Sequence, residues 1–148
     1  MESGVIMRIL NKEDLQKLPH KFQVMFAVFC ARQVIHLVKE EEVKAVCLKA
    51  IEAAEGFIEG KVSKEECKEA AANTIAVHAI SAAYTAYAAA YAAANAAKYH
   101  ISLYTAANAA YNAANAVGVN KEQIVKEQWD HYYELLNFEK NFEKIMLE

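Results

Sequence analysis

Residues Ala70 to Val117 read AAANTIAVHAISAAYTAYAAAYAAANAAKYHISLYTAANAAYNAANAV, and about half of these positions are alanine. Alanine is the strongest helix former, and neither glycine nor proline interrupts the run. The capping-box pattern Ser63-Lys-Glu-Glu66 places the start of the helical region near Lys64. One straight helix over 64–117 would extend roughly 80 Å at about 1.5 Å per residue. A domain of this size has a radius of gyration of only about 15 Å. The run is therefore expected to fold back as an Ala-rich helical hairpin. The break is placed at Lys98–Ser102, where aromatic and β-branched residues lower helix propensity and Ser102 can cap the next helix. The second candidate lies near Ser81.

Alanine at an interface lets two helix backbones approach to about 8 Å. Each alanine adds little hydrophobic energy, so larger neighbours must supply the rest. Three stripes offer such neighbours. Tyr84, Tyr87 and Tyr91 recur at spacings of three and four, with Val77 and Ile80 leading into them. Asn108, Asn112 and Asn115 form a second stripe, and Thr74, His78, Ser81 and Thr85 a third. Such stripes pack and satisfy one another inside a bundle, or they line a binding face. Tyr84, Tyr87, Tyr91, Asn108 and Asn112 are the candidate partner-binding residues, on the condition that the hairpin is partly exposed.

The flanking segments read as further helices. Asn11 caps KEDLQKL, which stops before Pro19. His20–Lys39 is the most apolar segment and is expected to be largely buried, with His36 as a hydrogen-bonded core residue. Glu42–Glu59 is amphipathic and closes on Gly60. Gly118–Asn120 is a turn with Asn120 as the cap of Lys121 onward, and a phase shift near Asn137 predicts a kink or two short helices in 121–147. With no strand pattern anywhere, the expectation is an all-α single domain over 1–148, a bundle of five to seven helices built around the Ala-rich hairpin.

Chemistry is sparse. The net charge of −3 and pI near 6.0 give no electrostatic footprint for nucleic acid. Cys30, Cys47 and Cys67 are isolated and odd in number, the pattern of a reduced, cytoplasmic protein. No signal peptide or membrane span is expected. None of His20, His36, His78, His100 and His131 follows a carboxylate by three residues, so the paired Glu-x-x-His ligands of di-iron bundles are missing. Zinc spacing, a nucleophile elbow and phosphate-binding glycine loops are missing too. The expectation is a protein without metal, cofactor or catalytic residues.

The order CARQVIHLV (Cys30–Val38), AIEAAEGFIEGKVS (Ala50–Ser63), the run containing His78, AAANAAKYH (Ala92–His100) and NAAYNAA (Asn108–Ala114) resembles the Imm-five-like immunity proteins of bacterial polymorphic-toxin systems. The resemblance runs from Ala27 to Val117. Arg32, His36, Glu52 and His78 match its polar positions, whereas EEEVKAVCLK, Asn95 and Lys98 depart from it. It implies a cytoplasmic helical protein that binds and neutralises a cognate toxin or other effector and does no chemistry itself. Toward a basic toxin cleft, the runs Glu40–Glu42 and Glu127/Asp130/Glu134 are the acids available for steering.

Three other readings remain open. A small-molecule-binding or sequestering protein would use a Tyr/Asn/His-lined pocket between the Ala helices. YTAANAAYNAAN resembles the repeats of Ala-rich antifreeze proteins, and Thr74 and Thr85 keep their 11-residue period, but Ala96 and Ala107 break it. An oligomerisation module, including a homodimer, would use the Ala-packed surface equally well.

Overall fold

The computed structural model describes residues 7–75, 81–95, 99–117 and 121–147, without the side chains of 99–102, 139 and 141–147. Among them the chain is all-helical: α1 (Lys12–Leu15), α2 (His20–Val34), α3 (Glu41–Ile58), α4 (Lys64–Asn73), α5 (Ser81–Ala94), α6 (Tyr99–Ala116) and α7 (Lys121–Leu147), with a 3₁₀ turn at Ile35–Leu37. The helices pack as a bundle around one core.

Local signals set most of the boundaries. Asn11 caps α1, and the Asp14 carboxylate accepts from the Asn11 backbone N–H at 2.9 Å. Ser63 and Glu66 form the same reciprocal box at the start of α4. Gly60 adopts φ +78°, a conformation that suits glycine, and closes α3. Pro19 separates α1 from α2, and the carbonyls of Leu15 and Leu18 accept from the buried Gln23 amide at 3.2 and 3.0 Å.

Helix α5 is the centre. It packs against α2, α3, α4 and α6, and Ala82, Ala83, Ala86, Ala88, Ala89, Ala90, Ala92 and Ala93 are all buried. A helix apolar on nearly every side belongs in a core. The aromatic and aliphatic bulk comes from its neighbours: Phe26, Val24, Val34, Ile51, Leu15 and Leu18 are fully or almost fully buried.

The Ala-rich region departs from a two-helix hairpin. Its last two helices, α5 and α6, do form one, but α4 is a third helix that ends at Asn73 and packs back on α5. The break near Ser81 is used, whereas the one placed at Lys98–Ser102 falls earlier, between Ala94 and Tyr99. Thr74 is the C-cap of α4, so the Thr74–Thr85 stripe does not lie on one helix; His78, Val77 and Ile80 fall outside the described residues. Ser102 lies inside α6 instead of capping it, and α7 runs unbroken through Asn137. The cap assigned to Asn120 is outside the described residues.

Helix α7 lies antiparallel to α2. The amide of Gln33 donates to the Ile124 carbonyl at 3.1 Å, Phe29 stacks on His131, and Phe22 meets Phe138 edge-on. The N-terminal segment clamps its other side. Trp129 donates to the Arg8 carbonyl at 2.8 Å, Tyr132 donates to the Asp14 carbonyl at 2.7 Å, and the Arg8 guanidinium grips both Asp14 oxygens at 2.6 and 2.9 Å. That guanidinium holds the Asp14 carboxyl below its ordinary value.

The close approach around α5 can be tested directly. Ala90→Leu inserts three carbons where the side chain has no solvent access, and overpacking of this kind costs about 1–3 kcal/mol. Urea unfolding followed by circular dichroism should show that loss; an unchanged midpoint would mean that the helices around α5 have slack.

Candidate functional site

The stripe Tyr84, Tyr87 and Tyr91 falls on the one line of α5 that its neighbours leave half open. The rings run in file along the helix. Tyr84 and Tyr87 have centroids 5.5 Å apart and tilted by 46°, and Tyr87 stacks on Tyr91 at 5.2 Å and 16°. Partial burial raises the hydroxyl pKa of both Tyr84 and Tyr87, so both remain neutral phenols at physiological pH.

Helix α6 supplies the other half of the surface. Tyr84 is hydrogen-bonded to the Asn108 side chain, and Asn108 and Asn112 are half-buried. The Asn112 amide donates to the Asn108 carbonyl at 2.9 Å, which fixes its rotamer. All five sequence-selected residues therefore lie partly exposed on the α5–α6 pair, and Tyr84 and Asn108 touch. Sequence reasoning missed two members. Tyr104 and Tyr111 are 61% and 56% exposed, four residues before and three after Asn108, and that spacing was the signal available to find them.

The α5–α6 contact itself is closed, with Ala86, Ala89, Ala90, Ala93, Ala106, Ala109, Ala110 and Ala113 all shut off from solvent. Thr74 and Thr85 are fully buried, and their hydroxyls donate to the carbonyls of Ala71 and Ala82 at 2.7 and 2.6 Å. The exposed threonine face that ice binding requires is not formed by these two residues.

Two grooves lie elsewhere. The first, about 350 Å³, is lined by Met25, Val28, Phe29, Arg32, Glu55, Ile58, Glu59 and His131. Here CARQVIHLV meets AIEAAEG: Arg32 bonds both Glu55 oxygens, at 3.2 and 2.7 Å. His131 stacks on Phe29 at 4.2 Å and 6°, with Phe26 at 6.4 Å, and its Nε2 is buried without a hydrogen-bond partner. The second groove, about 470 Å³, runs between α3 and α4 and carries Lys49, Glu52, Glu66 and Glu69 over Val46, Ala53, Val62 and Ala70.

The remaining polar residues have structural surroundings. Cys30, Cys47 and Cys67 are free and buried; burial pushes the Cys67 thiol up to about 11 and raises the other two, opposite to the activation a nucleophile needs. His36, expected in the core, is exposed on the 3₁₀ turn, because α2 ends at Val34. Of the acids considered for steering, Asp130 is paired with Lys126 at 2.8 Å, and Glu127 accepts from Gln33 and Gln123. Among the described residues no three His, Cys, Asp or Glu side chains converge as a metal site, and no helix is long and apolar enough to cross a membrane. Comparison of the chain with protein-family models, with curated proteins and with solved structures found no match.

His131 gives a pH signature. Desolvation lowers its pKa below the ordinary 6.5, and Glu134 opposes the shift. Arg32, Glu55 and Glu59 line the same groove. Below the ordinary value the unfolded chain takes up the proton more readily than the folded one, so this contribution to stability is full above pH 6.5 and declines as pH falls beneath it. His131→Phe keeps the stack and removes the orphan nitrogen. Near pH 5.5 it should gain about 1 kcal/mol by denaturant titration and flatten the slope; an unaltered slope would place the pH dependence elsewhere.

Proposed function

We propose that this chain is a non-catalytic, immunity-type binding protein that neutralises a cognate toxin or other effector by covering it with the α5–α6 face. The observation that carries the reading is the row of half-exposed tyrosines Tyr84, Tyr87 and Tyr91, flanked by Asn108 and Asn112. Tyrosine offers large contact area with few rotatable bonds, and asparagine adds adaptable hydrogen bonding. The close-packed alanines beneath hold these side chains on a firm backbone, which reduces the ordering cost of association. The likeness of Cys30–Val38 and Ala50–Ser63 to immunity proteins supports the same reading, and the three free, buried thiols are compatible with a reducing compartment.

The test is a pull-down from the native cell lysate with the chain as bait, followed by co-expression of the captured partner with the chain. The wild type should protect the host and capture the toxin in fixed stoichiometry. Tyr84→Ala combined with Tyr87→Ala should weaken capture at least about tenfold, or about 1.4 kcal/mol. Wild-type protein that neither binds nor protects sinks the reading.

A second reading, small-molecule binding, loses its expected pocket between the Ala helices, where the α5–α6 contact is closed, and rests instead on the groove of about 350 Å³ beside His131. It predicts a ligand-dependent rise in Tm in a metabolite screen.

A further inference from the structure

About a quarter of the chain is charged (24%), yet α5 and α6 contain no Asp, Glu, Lys or Arg among their described residues. Their outer face presents Tyr84, Tyr87, Tyr91, Tyr104, Asn108, Tyr111 and Asn112, and at its margin Lys121 donates to Asn115. Surface helices elsewhere in the fold carry alternating acids and bases, as on α3 and α4. More than half of each of Tyr104 and Tyr111 stands in solvent. A neutral aromatic face of this extent is unusual on a chain that has charge to spare.

From this we infer that the chain pairs with a second copy of itself through the α5–α6 face, as a two-fold symmetric dimer. Self-complementarity argues for that occupant. A phenol and a carboxamide each carry a donor and an acceptor, so the face can satisfy its own image, and no like charges oppose each other across the axis. An oligosaccharide suits it less, because Tyr87 and Tyr91 cover each other's ring faces at 5.2 Å and 16° instead of offering them outward.

The size is sufficient for a modest dimer. Helix α6 has 18 residues, so it is about 27 Å long, and two helices with their side chains make a strip about 20 Å wide. Two copies would bury about 1,000 Å² in total, the lower edge of specific interfaces, which suits a micromolar dissociation constant. The effector contact proposed above uses the same tyrosines, so dimer and effector complex would exclude each other. The dimer does not depend on that contact.

Sedimentation equilibrium on the full chain, over roughly 1 to 300 µM, is the test. The wild type should pass from the 16.5 kDa monomer toward twice that mass, with a midpoint that moves less than about threefold between low and high salt. Tyr104→Glu with Tyr111→Glu should weaken dimerisation at least tenfold at unchanged helicity, and Tyr104→Ser with Tyr111→Ser should do so without added charge. Glu65→Lys, on exposed α4, should leave the dimer intact. A wild type monomeric throughout, a dimer indifferent to both tyrosine pairs, or one that dissolves in salt overturns the inference. If the effector binds a strictly monomeric chain, the dimer falls and the functional reading stands; a dimer without effector binding gives the reverse.

Discussion

Helix α5 has to fit inside a ring formed by α2, α3, α4 and α6, and the eight alanines and one threonine it buries are what make that possible. A leucine at any of these positions would push a neighbouring axis outward from the short end of the helix-packing range, which is about 8–10 Å. Alanine also forms helix without losing side-chain entropy, so the central rod is intrinsically favourable before any contact is made. The weakness of the solution is energetic, since a methyl group removes little apolar area from water. The surrounding helices make up for it with Phe26, Ile51, Val24, Val34, Leu15 and Leu18. Small residues inside and large residues around them divide the work between geometry and hydrophobic burial.

The same constraint explains where the tyrosines stand. Four helices cannot cover every side of α5, and a large side chain is tolerated only on the uncovered line. Tyr84, Tyr87 and Tyr91 occupy it, each half-buried. The variation in residue size along α5 is in effect a map of its neighbours. A surface that rests on close-packed backbone differs from one carried by loops: its side chains are held in register by the helix, and binding need not order them first. The network of Gln33, Gln128 and Ala110 ties α2, α7 and α6 together on the far side, which leaves the α5–α6 face as an outer wall of the bundle.

The all-helical fold was legible because helical periodicity runs through the chain with no competing strand pattern, and local caps mark some of the boundaries. Asn11, Gly60 and the Ser63–Glu66 box read correctly from local chemistry alone. The three-helix division of the Ala-rich run was harder. Alanine favours helix so uniformly that only length forces a break, and length alone does not say how many breaks there are; Thr74 and Asn95 end their helices with weak local signals. The phase shift near Asn137 suggested a break, but a change of apolar phase need not end a helix. In α7, Ile124, Val125, Gln128, Tyr132 and Leu135 keep one buried face, and Phe138, just past Asn137, stays largely in solvent against Phe22 while the helix continues. The tyrosine face was half visible: its α5 stripe showed as a period, whereas Tyr104 and Tyr111 gained meaning only once α6 lay beside α5.

The two segments on which the proposed immunity reading leans are themselves explained by packing. Cys30, Ala31 and Val34 are buried on α2, and Ala50, Ile51 and Ala54 are buried on α3. Arg32 and Glu55 join the two helices across their rim. Gly56 lies against Val62, and a Cβ at that position would collide with it, so the glycine lets the chain after α3 turn back tightly. Each of these residues is accounted for by how α2, α3 and the following turn fit together. A likeness concentrated in such positions speaks to architecture, and architecture by itself does not select a partner. Selection has to come from side chains that the packing leaves free to vary. Among the described residues, the tyrosines and asparagines on the outer face of α5 and α6 are an uncharged set of such side chains.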